Sequence, residues 1–174
     1  MLKYLRPIQS IHRSLIQTPI FLPFQNRIMA TYSTTTRFAT LDAFWVAVDQ
    51  IQTTSTNEEW EKLAGYFADD AVLYVLGMSS PPVTGKAAAI ESFKTLKTYW
   101  ALVERRQRSQ SLSADGKVAV VEMDNHLTIF GEHVEHFPET EVVEFDEAGK
   151  IASYRLYCDG TPLKEIAAKK MATQ

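Results

Sequence analysis

Residues 117–130 read KVAVVEMDNHLTIF, and their alternation decides the fold. Taken two at a time, Ala119, Val121, Met123, Asn125, Leu127 and Ile129 fall on one side, and Val118, Val120, Glu122, Asp124, His126, Thr128 and Phe130 on the other. The first side is apolar except for Asn125, so it predicts the covered face of a strand. The second carries charge and predicts an uncovered face, a contrast typical of antiparallel sheets. The same period of two runs through residues 99–112, 134–145 and 151–158. Between these runs stand Ser113-Ala114-Asp115-Gly116, Gly131-Glu132 and Asp146-Glu147-Ala148-Gly149, which supply the turns of a four-strand meander.

Upstream the spacing becomes helical. Leu41, Phe44, Trp45, Val48 and Ile51 form one stripe over residues 41–52, and Trp60, Leu63, Ala64 and Phe67 form a second, in a helix for which Asn57, followed by Glu58 and Glu59, is the expected cap. Asp69 and Asp70 end that helix as turn residues. Residues 71–76 read as a short strand, residues 77–84, with Pro81-Pro82, as a loop, and residues 85–98 as a third helix. The predicted architecture is α+β: three N-terminal helices packed in a curved antiparallel sheet that forms a cone.

Charge divides the chain. Residues 1–41 contain Lys3, Arg6, Arg13, Arg27 and Arg37 but none of the 21 acidic residues, the first of which is Asp42. An acid-free, Ser/Thr-bearing basic head has the composition of a mitochondrial transit peptide, with a disordered extension as the other reading, and either way residues 1–38 are expected to lie outside a domain spanning 39–174. A start of translation at Met29 is the alternative, and implies a cytoplasmic protein. The acidic balance of the domain speaks against nucleic-acid binding, and Arg105, Arg106 and Arg108 form only a small basic knot. The longest apolar run of the head is too short to cross a bilayer. Cys158 is the single cysteine, which excludes an intrachain disulfide.

Three segments carry a family resemblance: Phe67-Ala68-Asp69-Asp70-Ala71, Thr84-Gly85-Lys86-Ala87-Ala88-Ala89-Ile90, and Phe145-Asp146-Glu147-Ala148-Gly149-Lys150-Ile151. The stretch from about residue 41 to 163 resembles the nuclear transport factor 2-like superfamily, with ketosteroid isomerases and SnoaL-like polyketide cyclases as the nearest branches. The resemblance implies a pocket for an apolar small molecule. It transfers chemistry poorly, because fold and function are separable. The isomerase's proton-shuttling aspartate falls at Val75, beside Tyr74. Its protonated aspartate falls at Glu141, which keeps a carboxyl. The isomerase's first-helix tyrosine has no clear counterpart among Phe44, Trp45 and Val46. The Arg and two Asp of the related limonene epoxide hydrolases fall at Met123, Asn125 and Leu156, so that mechanism is not expected.

The candidate acid is therefore Glu141, on an inward face with Val143 and Phe145, where apolar surroundings favour a neutral carboxyl. The competing reading leaves it solvated at the pocket mouth, among Glu139 and Glu144. Asn125 either orients a ligand carbonyl or hydroxyl or caps backbone inside the sheet. Tyr66, Tyr74, Trp100, Met123, Leu127, Tyr154 and Leu156 are the candidate wall, each equally readable as core. His133 and His136 are three apart on a strand and cannot converge on one metal ion without a bulge. No metal or cofactor is expected. Arg155, Tyr157 and Asp159, with Arg106 and Arg108, point to a homodimer in which the outer face of the sheet meets Glu122 and Asp124. Function stays open between a cofactor-independent isomerase, cyclase or dehydratase, a non-catalytic binding protein, and a dimerising interaction module.

Overall fold

The computed structural model describes the backbone of residues 25–172 and side chains from residue 36 onward. The basic head up to residue 24 lies outside the described residues. Eleven elements follow in order: α1 (Gln25–Gln50), α2 (Asn57–Ala64), β1 (Phe67–Tyr74), β2 (Val83–Thr84), α3 (Lys86–Lys97), β3 (Trp100–Glu104), β4 (Gln107–Leu112), β5 (Val118–Ile129), β6 (Glu132–Phe145), β7 (Ile151–Cys158) and α4 (Thr161–Ala172). Four helices thus pack with a curled sheet ordered β2-β1-β7-β6-β5-β3, and β4 joins the same edge of β5 as β3.

The inward set of β5 is buried as its alternation requires, from Ala119 through Ile129. Of these, Ala119, Val121 and Met123 share a core with Leu41, Phe44 and Val48 of α1, Trp60 and Leu63 of α2, and Phe93 of α3, while Leu127 and Ile129 belong to a second cluster with Phe137 and Ile166. Phe44 is the hub of the first, with edge-on contacts to Trp45, Phe67 and Phe93 at ring separations of 5.5, 5.5 and 6.0 Å. Such geometry aligns ring edges with ring faces and adds to simple burial.

Several details depart from the sequence expectation. Helix α2 ends at Ala64 and β1 begins at Phe67, so Asp69 and Asp70, expected as turn residues, lie inside the strand. The sheet is mixed: β1 runs parallel to β7, with Leu73 opposite Tyr154, while the other pairs are antiparallel. Helix α2 is capped by Thr56 rather than Asn57, through a reciprocal capping box with Glu59. The strand expected over residues 99–112 breaks at Arg105-Arg106 into β3 and β4. A fourth helix follows β7, where alternation stops at Asp159-Gly160. Leu163 and Ile166 of this helix pack on Leu127, Ile129 and Phe137.

The break in the third strand is structural in origin. Opposite it, the pairing of β5 with β6 shifts register between Asn125 and Leu127, and that of β5 with β3 shifts nearby. Bulges at one level on both sides of β5 bend the sheet sharply. Asn125 closes the gap, its Oδ1 accepting the Arg106 backbone N–H at 2.9 Å. At the far end of β5 the chain reverses through Phe130 and Gly131, both at positive φ (51° and 82°). This is the pattern of a type I′ turn, in which Asn or Gly is usual at the first position. A phenylalanine there carries roughly 1 kcal/mol of backbone strain.

Candidate functional site

Curling leaves a cavity of about 300 Å³ between the inner face of the sheet, α3 and α4. Its inner wall includes Trp45, Val75, Phe137, Glu139, Tyr154 and Leu156, and its mouth is formed by Leu76, Tyr99, Phe130, Leu163 and Lys164. The volume sits at the lower end of the range for small-molecule sites. Among these inner residues Glu139 is the one carboxylate.

Glu139 is 8% exposed and Glu141 is 0% exposed. Both descend from the same pattern, since counting back by twos from Phe145 through Val143 reaches each of them on the inner face of β6. Their surroundings differ. Asn125 Nδ2 donates to Glu139 Oε1. Because the amide oxygen is already committed to the Arg106 N–H, the Asn125 side chain cannot flip, and its NH₂ is held toward Glu139. Oε1 is thereby kept as an acceptor, and the carboxyl proton resides on Oε2. Burial pushes Glu139 up to about 7, while the Asn125 hydrogen bond and Arg105 pull the other way.

Glu141 does not line the cavity. It lies behind Trp45, whose indole Nε1 donates to Oε2 at 3.0 Å. Burial raises it to about 8, opposed by the Trp45 hydrogen bond and Arg105, and reinforced by Glu139 and Asp42. Arg105 Nη2 is 3.8 Å from Glu141 Oε1, and neither atom has a hydrogen-bond partner among the described residues. That separation is long for a charged pair, and it matches a protonated Glu141. The guanidinium instead bonds Asp42 at 3.2 Å and stands 5.7 Å from the centre of the Trp45 ring.

Of the wall expected from sequence, Trp100, Tyr154 and Leu156 line the cavity. Met123, Leu127 and Asn125 are buried and do not line it. Tyr66 packs edge-on against Phe44 at 5.9 Å, within the core. Tyr74 pairs with Arg155 on the face opposite Leu73 and Val75, away from the cavity. Tyr154 is entirely buried, which drives its hydroxyl well above its ordinary range and keeps it a neutral donor. Burial also raises the Cys158 thiol to about 11, so it is not a thiolate nucleophile at neutral pH.

The outer face is occupied by charge pairing within the chain. Arg108 bonds Asp124 at 2.6 Å, Arg106 bonds Glu104 and Glu135 at 2.7 and 2.9 Å, and Arg155 bonds Glu144. His133 meets His126 at 2.8 Å, whereas His136 meets Asp124 at 3.2 Å, so the two histidines serve different partners. Among the described residues no group of three or more His, Cys, Asp or Glu is arranged to hold a metal ion, and no helix is long and apolar enough to cross a membrane.

No match was found among curated protein sequences. Solved structures share the fold. An LEH-like epoxide hydrolase of M. tuberculosis superposes with a TM-score of 0.58 at 20% identity, covering 76% of this chain and 89% of the hydrolase. A putative polyketide cyclase of Xanthomonas campestris pv. campestris gives 0.58 at 12% identity, over 75% and 95% of the two chains. A steroid delta-isomerase of Pseudomonas aeruginosa gives 0.52 at 18% identity, over 79% and 95%. At such identities the likeness establishes the fold alone. Residues 47–154 match the SnoaL-like domain model, and with the cone and its cavity this makes the chain a member of the SnoaL-like family.

Proposed function

We propose that this chain binds a hydrophobic, carbonyl-bearing small molecule in the cavity and moves a proton on it by acid–base chemistry, as an isomerase, cyclase or dehydratase. The observation that carries the reading is Glu139, a buried carboxyl on the wall of an otherwise largely apolar cavity. Poised at about 7, it is populated in both protonation states at neutral pH, which suits a group that must take a proton and return it. Oε2 is its working atom, since Oε1 is held by Asn125. Tyr154 supplies a neutral hydroxyl on the same wall to polarise a carbonyl. Glu141 orients the Trp45 indole from behind.

The test is exchange of the α-hydrogens of 2-acetyldecalin, a hydrophobic ketone, for solvent deuterium, followed by NMR. Wild-type protein is expected to accelerate exchange, with the rate rising through about pH 7 as Glu139 ionises. Glu139→Gln should lower the rate at least about 100-fold while still binding the ketone. Glu141→Gln keeps an oxygen for the Trp45 N–H and should lose less than about tenfold. Exchange that survives Glu139→Gln intact would sink the assignment. Ketone binding with no exchange in the wild type would leave a binding protein, the reading favoured by the presence of only one carboxylate on the inner wall.

A further inference from the structure

At the cavity mouth a phenylalanine occupies a backbone position for which it is poorly suited. Phe130 has φ of 51°, the left-handed region that bulky side chains rarely adopt. The residue nevertheless stays 41% exposed, so burial in the core does not account for the choice. The placement is held from two directions. The Phe130 N–H donates to the Tyr99 carbonyl at 2.7 Å, and the two rings stack at 5.3 Å with planes 26° apart. Tyr99 covers one face of the Phe130 ring. Both residues line the cavity. Strain kept in a residue that contributes little to the core points to a use for that residue.

We propose that Phe130, backed by Tyr99, is an aromatic subsite that selects ligands carrying a planar unsaturated ring at the outer end of the cavity. This rests on the reading above only in that the cavity takes a small molecule, and it holds whether or not Glu139 performs catalysis. A flat π-system stacks on the open face of the Phe130 ring, with an attraction beyond the area it buries. A saturated ring of the same carbon skeleton is puckered and has no π face, so it meets the Phe130 ring only through its C–H bonds and gains burial without the stacking. The turn supplies the rigidity: a ring hydrogen-bonded through its own backbone and stacked from behind offers a fixed surface and loses little entropy when a ligand arrives.

Two ketones of one skeleton test the subsite, 2-acetylnaphthalene and 2-acetyldecalin, titrated calorimetrically into wild-type protein, Phe130→Asn and Glu139→Gln. Wild type is expected to bind the naphthyl ketone about fivefold more tightly than the decalyl ketone. Phe130→Asn should erase that preference by weakening the naphthyl ketone alone. Lost stacking on Tyr99 and relieved turn strain oppose one another, so its melting temperature should stay within about 3 °C of wild type. Glu139→Gln should retain the preference. Equal binding of the two ketones by wild type, or a preference that persists in Phe130→Asn, overturns the subsite and leaves the cavity reading standing. A fall of more than about 8 °C with both ketones lost makes Phe130 structural and overturns it as well. Failure of wild type to bind either ketone removes the cavity reading, and the subsite with it.

Discussion

Two carboxyls two residues apart on β6 show how much a side chain's neighbours matter. Glu139 and Glu141 share a strand, a face and near-complete burial, yet one touches the cavity and the other an indole. Both bind a proton more tightly when folded, at about 7 and about 8 against an ordinary 4.5. The folded state therefore holds protons that the unfolded chain has released, and the stability they contribute is full below pH 4.5 and lost as pH rises through 7 and 8. Acids held low, among them Asp69, Asp124 and Glu135, act in the opposite sense and only below about pH 5. Melting temperature is expected to decline between pH 5 and 8.5, and Glu141→Gln, permanently neutral, should make the decline shallower. An unchanged slope would mean that Glu141 is ionised in the folded protein. The period of two reaches Glu139 and Glu141 equally, which made a buried carboxyl on β6 legible in the sequence. Which of them meets the cavity was not, because that depends on Trp45, 96 positions from Glu141 in the chain.

Among elements, legibility followed the strength of the local pattern. Strand β5 alternates without error and its faces lie as the sequence implied, although a bulge interrupts its pairing at Asn125. The break between β3 and β4 left no local signal, since the Arg106 N–H that would have paired across the ladder is satisfied by a distant amide. Helix α4 was missed for another reason: its apolar residues are few, and Ile166 is its one buried position. That scarcity has a measurable consequence. Ile166→Ala removes the most deeply buried of the contacts, Leu163 making another, that hold α4 over Leu127, Ile129 and Phe137, and should cost about 2 kcal/mol of stability. Because Leu163, Lys164 and Ala167 of the same helix border the cavity, affinity for 2-acetyldecalin should fall along with the melting temperature. Loss of stability with affinity intact would show that α4 braces the fold without shaping the site.

At the scale of the whole molecule, the cavity is a product of curvature. Strands of 12 and 14 residues bend where β5 is bulged, and the helices cover the concave side without filling it. The hollow runs from the β5–β6 turn, where the aromatic mouth lies, to the middle of β6, where Glu139 stands. A ligand entering past Phe130 meets ring surfaces first and a titratable group last. The curl was readable from the family-like segments and the long meander, and the mixed sheet was not, because the parallel pairing of β1 with β7 joins residues some 80 positions apart.

Two of the chain's three tryptophans, Trp45 and Trp100, border this hollow, and Trp60 packs instead under α3 beside Lys94. The protein therefore carries its own optical gauge. Emission from an indole whose N–H is tied to a carboxyl responds to any change in that bond or in the surrounding polarity, so filling the cavity should shift Trp45 fluorescence. In a Trp60→Phe background the whole signal would come from the site, and candidate compounds could be screened by the colour of the protein's own light before any reaction is known.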